Sequence, residues 1–150
     1  MTRYLVVSSI VLTLAASASQ AAMAGPAQAS DRSGASLGTV RIAHHVRADG
    51  KALAPGVYLL RLTDADASPT PAGETAGYER WVEFIQHGDV KGREVATIVP
   101  ASEIKDVADA GTTPPRLGQH KIEVLKGNVY LRIWLLRGDR HYLIHLPISS

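Results

Sequence analysis

The chain of 150 residues contains no cysteine, and this removes several chemistries at once. No disulfide can staple the fold, no thiol can act as nucleophile and no cysteine can hold a metal, so a small domain of this kind must rely on its core. Aromatic residues are scarce, with one Phe, two Trp and five Tyr in 150 residues. Asn128 is the lone asparagine and lies outside any N-x-Ser/Thr sequon. Charge of one sign is also lacking: formal net charge is +2, and it falls to +1 if Arg3 is removed with an N-terminal signal. That balance argues against a nucleic-acid binder working through charge. G-x-S-x-G, the P-loop, G-x-G-x-x-G, H-E-x-x-H and the EF-hand loop are all missing.

The one long apolar run is Tyr4 to Ala16, thirteen residues, which is short for a bilayer span. Arg3 precedes it and Ala22-Met23-Ala24 follows it with a small-x-small pattern. Residues 1–24 therefore read as a secretory signal peptide, with a second possible cut at Ala27-Gln28-Ala29. Its removal would leave no stable membrane insertion, and the expected localisation is periplasmic or secreted. Residues 25–38 are small and polar and read as a flexible mature N-terminus, followed by a single β domain over 39–150.

Alternation predicts a first strand over Thr39–Arg47, with Val40, Ile42, His44 and Val46 on its apolar face, so that His44 would be a core histidine. Asp49-Gly50 begins a turn, and Pro55-Gly56 suits the centre of a type II turn. Further strands are expected at Val57–Thr63, Glu79–Gln86 and Arg93–Pro100. Residues 64–77 and 109–119 read as loops, His87–Gly92 as a hairpin loop and 101–108 as one or two helical turns capped by Ser102.

The clearest stretch is Lys121–Pro147, three strands joined at Gly127-Asn128 and Gly138-Asp139. Two-residue turns fix register. One face then carries Val124–Leu131–Leu146 and Ile122–Ile133–Ile144, an aliphatic core layer. The other carries Glu123–Arg132–His145, flanked by Lys121–Trp134–Leu143 and Leu125–Tyr130–Pro147. The expected fold is all-β, an antiparallel β-sandwich or small barrel of about seven strands with at most one short helix.

Leu53-Ala54-Pro55-Gly56-Val57-Tyr58 followed by Leu59-Leu60-Arg61-Leu62 resembles the L-x-x-G-x-Y lead-in to a strand found in secreted bacterial all-β modules. Region 39–147 as a whole resembles an uncharacterised family of exported bacterial all-β domains. The resemblance implies a secreted β domain and transfers no functional residue.

Candidate chemistry is confined to a few groups. Glu123, Tyr130, Arg132, Trp134 and His145 share one sheet face and form a candidate ligand platform, because aromatics with a few directed polar groups suit sugars or peptides. The competing reading is a cross-strand ion pair with aromatics covering a sheet. A metal site would have to combine His44 or His45 with His141 or His145. His44 and His45 point to opposite faces of a strand, and His141 and His145 are about 13 Å apart along one, whereas zinc–nitrogen bonds are about 2.0–2.1 Å. Ser102-Glu103-Ile104-Lys105 matches S-x-x-K, but neither S-D-N nor K-T-G accompanies it. Glu79 and Glu83 stand about 13 Å apart on one face, beyond the roughly 5–9.5 Å of a glycosidase pair. The residues thus point to an exported non-enzymatic binding or structural module, with no cofactor and with an unknown ligand or envelope protein as partner. The alternatives are a His-dependent metal protein or hydrolase, and an envelope interaction partner or inhibitor.

Overall fold

A computed structural model describes residues 34–67, 78–107, 111–125 and 127–149, all within one unit, Arg32–Ser150. The expected signal peptide at 1–24 lies outside the described residues, as do residues 68–77 of the expected long loop.

The elements in chain order are β1 (Gly34–Ile42), β2 (Val46–Ala48), β3 (Lys51–Leu53), β4 (Gly56–Asp66), β5 (Glu79–Gln86), β6 (Asp89–Pro100), α1 (Ile104–Val107), β7 (His120–Val124), β8 (Tyr130–Arg137) and β9 (Arg140–Pro147). Seven strands form one curled antiparallel sheet in the order β1-β4-β5-β6-β9-β8-β7, and β2 pairs with β3 as a separate hairpin. The all-β expectation holds, and among the described residues α1 is the one helix.

The curl gathers inward-facing side chains from every strand into one core. Leu37, Val40 and Ile42 of β1 meet Tyr58 and Leu60 of β4, Val82 and Phe84 of β5, and Leu131, Ile133 and Leu135 of β8. Tyr58 packs edge-on to Phe84 at 6.2 Å between ring centroids, and its hydroxyl donates to the Ala54 carbonyl at 2.7 Å. Burial raises the Tyr58 phenol above its ordinary value, partly offset by Lys91.

Several boundaries differ from the sequence reading. β1 begins at Gly34 rather than Thr39, because a bulge between Ser36 and Gly38 turns Leu37 into the core. A single apolar residue among small polar ones carries no period-two signal. At its other end β1 stops at Ile42, so the apolar alternation is broken and His44 is exposed rather than core. Val46 returns to the core as the start of β2. Gly56 opens β4 without a positive φ, so Pro55-Gly56 is not a type II turn. The loop expected at His87–Gly92 is a two-residue turn, His87-Gly88, with φ of 54° and 84°. β6 therefore starts at Asp89, and a register shift between Val90 and Gly92 absorbs Lys91.

The β2–β3 hairpin sits where the sheet divides. The β6–β9 ladder runs only from Pro100↔Arg140 to Ala96↔Ile144. Beyond that point Val46 bridges Ile148, and Val46, Ala48 and Leu53 fill the core. A Cβ at Gly92 would lie 3.1 Å from the Ala48 Cβ and 3.3 Å from the Leu53 Cδ2, so this glycine lets the hairpin seat against β6. Glu94 closes the exposed backbone at the division: its carboxylate accepts from the Val95 N–H at 3.1 Å and from the Asp49 N–H at 2.8 Å.

Candidate functional site

The meander places its side chains in the rows that hairpin register dictates. Glu123 pairs with Arg132 and Arg132 with His145; Lys121 pairs with Trp134 and Trp134 with Leu143; Tyr130 pairs with Pro147. The opposite face is the core layer, with Leu131, Ile133, Ile144 and Leu146 fully buried. Val124, at the end of the sheet, is more exposed than the aliphatic row implies.

The outer face is divided. Trp134 has no exposed surface and forms a second buried cluster with Val99, Leu143 and Ile104 of α1. The ring therefore serves packing in this conformation and is not offered to solvent. α1 reaches it because Pro100 ends β6 and the chain folds back at once. The Glu103 N–H donates to the Pro100 carbonyl at 2.9 Å, and the Ala101 N–H donates to the Asp139 carbonyl at 2.8 Å. The helix is a single turn that begins two residues beyond Ser102, the cap the sequence favoured.

At the other end Tyr130 is 44% exposed and His145 is open to solvent. Between the two ends lies a bonded charge cluster. Arg132 Nη2 and Nε donate to Glu123 Oε2 at 2.7 and 3.1 Å, and Lys121 Nζ lies 2.5 Å from Glu123 Oε1. Partial burial alone would raise the Glu123 carboxyl. The hydrogen bonds and charges of Lys121 and Arg132 outweigh it and hold the group below the ordinary carboxylate range. The Arg132 guanidinium is 5.2 Å from the Trp134 ring centroid, so an almost fully buried cation is both paired and stacked. Desolvation, then the nearby Arg132 charge, lower the His145 imidazole, which favours its neutral form.

His141, the remaining candidate on this face, is buried against Trp134. The Trp134 indole N–H donates to its Nδ1 at 3.0 Å, and the rings meet edge-on at 5.7 Å. Burial lowers this imidazole too. His44 and His45 lie between β1 and β2 and are exposed. Among the described residues no three His, Asp or Glu side chains converge as metal ligands.

The register also reveals a neighbour that strand-by-strand reading missed. Glu79, Thr97, Leu143, Trp134 and Lys121 form one continuous row over five strands. One step along, the β6–β9 ladder has ended, leaving Trp81 and Val95 on one side of the division and His145, Arg132 and Glu123 on the other. The Arg93 guanidinium stacks 4.2 Å from the Trp81 ring centroid and donates to Asp49 Oδ2 at 3.1 Å. The dipeptide His87-Gly88 signals the hairpin, but a two-residue turn alone would put Trp81 opposite Glu94; the bulge that absorbs Lys91 shifts the register by one and brings Trp81 opposite Val95 and Glu83 opposite Arg93.

Comparison of the chain with protein-family models, with curated proteins and with solved structures finds no match to any of them.

Proposed function

We propose that the mature chain is an exported, non-enzymatic binding or structural module of the bacterial envelope or exterior, and that its working surface is the open part of the outer face of β7–β9. The observation that carries this reading is the placement of exposed Tyr130 and His145 beside the Lys121–Glu123–Arg132 cluster on a rigid sheet. A phenol, a neutral imidazole and a fixed guanidinium give an apolar surface with directed hydrogen-bonding groups, the pattern that suits a sugar or a peptide. Export is supported by the charged, apolar and small-residue order of residues 1–24. Arg132 supports the face from beneath, and Trp134 supports Arg132.

The test is a titration of isotopically labelled mature protein with a panel of neutral oligosaccharides and short peptides, read by amide NMR. Binding by this face shifts Tyr130, Arg132 and His145 together, and Tyr130→Ala abolishes the response with the fold intact. Shifts confined to other strands, or no shift with any panel member, overturn the assignment of the surface. Cell fractionation with mass determination checks export, with a mature start near Gly25 expected.

A second reading has its own observation. Val124, Val129 and Tyr130 are all substantially exposed around the β7–β8 turn. Such a cluster favours an envelope protein partner over a small ligand.

A further inference from the structure

The buried histidine bonded to Trp134 is not used by the binding face. His141 sits directly across from Leu136 on β8 and from Val99 on β6. Its Nδ1 receives the indole proton of Trp134. An indole N–H can only donate, so Nδ1 must carry its lone pair and the ring must be neutral with its proton on Nε2. Both rings are almost wholly removed from solvent. Ile104 joins Trp134, Val99 and Leu143 in the same small cluster, so α1 seats on the donor ring of this bonded pair.

We infer that the Trp134–His141 hydrogen bond is an acid-released latch that holds α1 against the outer face of the sheet. A proton added at Nδ1 replaces the acceptor with a second donor. The two N–H groups then oppose one another in a buried site, and an imidazolium is placed where no counter-charge among the described residues meets it. Relief comes when the helix lifts, water reaches the imidazolium, and the Trp134 ring is bared beside Arg132. The latch stands whether or not the neighbouring face binds a ligand.

The charged groups around His141 do not compensate the added proton. On the turn and helix above it are Glu103, Lys105 and Asp106, all exposed. Around the β8–β9 turn are Arg137, Asp139 and Arg140. Arg137 donates to the Gln119 and Leu136 carbonyls, and Arg140 lies 3.9 Å from Asp139. β6 presents only Val99 and Pro100 at this level. Desolvation is the cause that lowers the imidazole. The sign follows: the closed form binds the proton less well than the open form, whose imidazole titrates near about 6.5. Closure is at full strength above that value and weakens as pH falls below it, by up to about tenfold in the open-to-closed ratio per pH unit. The weakening ends once pH has passed the lowered value of the closed form.

NMR titration of the unmodified mature protein from pH 8 to 4.5 tests this directly. The His141 ring should titrate below about 6.5, and the Trp134 indole N–H and Ile104 methyl resonances should move with the same midpoint. The amides of Ile133 and Ile144 should stay protected. His141→Asn keeps an acceptor near the Nδ1 position without a titrating group, and should hold the indole and methyl signals constant over the range. The latch is overturned if His141 titrates at or above the ordinary value, or if the Trp134 and Ile104 signals do not follow it. Loss of core protection at the same midpoint also overturns it, as does an Asn variant whose profile matches that of the unmodified protein.

Discussion

Replacing Trp134 by alanine separates a ligand-facing ring from a packing one. The side chain has no exposed surface and touches the cluster of Val99, Ile104 and Leu143. A buried aromatic of this size covers roughly 150–250 Å². At about 25 cal/mol per Å² that is a gross burial of roughly 4–6 kcal/mol. Large-to-small changes at aromatic core positions cost about 3–5 kcal/mol, and the His141 Nδ1 is left without its donor as well. Single domains have about 5–15 kcal/mol in total, so Trp134→Ala should remove a large part of the stability. Trp134→Phe keeps most of the packing and isolates the hydrogen bond, at about 1–3 kcal/mol. Urea unfolding followed by far-ultraviolet circular dichroism reads both, with a lowered midpoint and an unchanged slope expected. A loss under about 1 kcal/mol for Trp134→Ala would refute the burial argument, because surface changes fall within about 0.5 kcal/mol. The exposed Tyr130 supplies that comparison: Tyr130→Ala should be nearly neutral for stability while removing binding.

Two further outcomes follow from the same geometry. Glu123 has its carboxyl lowered in the folded state, so its contribution is complete above the unfolded value near about 4.3 and is lost as pH falls through the folded one. Glu123→Gln should be less stable than the unmodified protein at pH 7, and the two stability curves should converge in acid; curves that stay parallel down to pH 3 would contradict it. Gly38 has φ of +104°, and a Cβ there would come within 2.7 Å of Arg137 Nη2. The guanidinium can move, but the backbone conformation is one that side chains rarely adopt, so Gly38→Ala should cost about 1–3 kcal/mol. Gly138 has φ of +58° and open space around it, so Gly138→Asn should cost much less by thermal unfolding; equal losses would show that the bulge at β1 is not strained.

The closing meander was legible because its turns keep two-residue register: Gly138-Asp139 is such a turn, and the longer one at Gly127-Asn128, where the Leu125 N–H donates to the Tyr130 carbonyl and the Asn128 N–H to the Leu125 carbonyl, leaves the same pairing. Gly127-Asn128 and Gly138-Asp139 fix register, register fixes faces, and each expected cross-strand pair from Ile122↔Ile133 to Leu131↔Leu146 is present. Burial of the outer face was not legible. Period-two alternation says which side of a sheet a residue occupies, but not what lies over that side. Trp134 and Tyr130 look equivalent in sequence, both outward on β8. α1 arrives from 30 residues earlier in the chain and covers one of them. The same limitation hid His141, whose partner is seven residues away across a hairpin. The bulge at Leu37 and the early start of β6 went unread because each departs from strict alternation by one residue.

The division between β6 and β9 links these observations. A seven-stranded curled sheet could have kept its ladder along the full length of both strands, and this one does not. The freed length is occupied by the β2–β3 hairpin, and the backbone N–H of Val95, just past the end of the ladder, is satisfied by the side chain of its own neighbour Glu94. The same carboxylate holds the turn of the hairpin through Asp49, and Asp49 in turn holds Arg93 over Trp81. An acidic residue that reads as an ordinary surface charge thus ties together a strand edge, a turn and an outer-face stack. The His145–Arg132–Glu123 row begins on the far side of that junction, so the candidate surface rests on a join between two parts of the sheet and not on the middle of a uniform one.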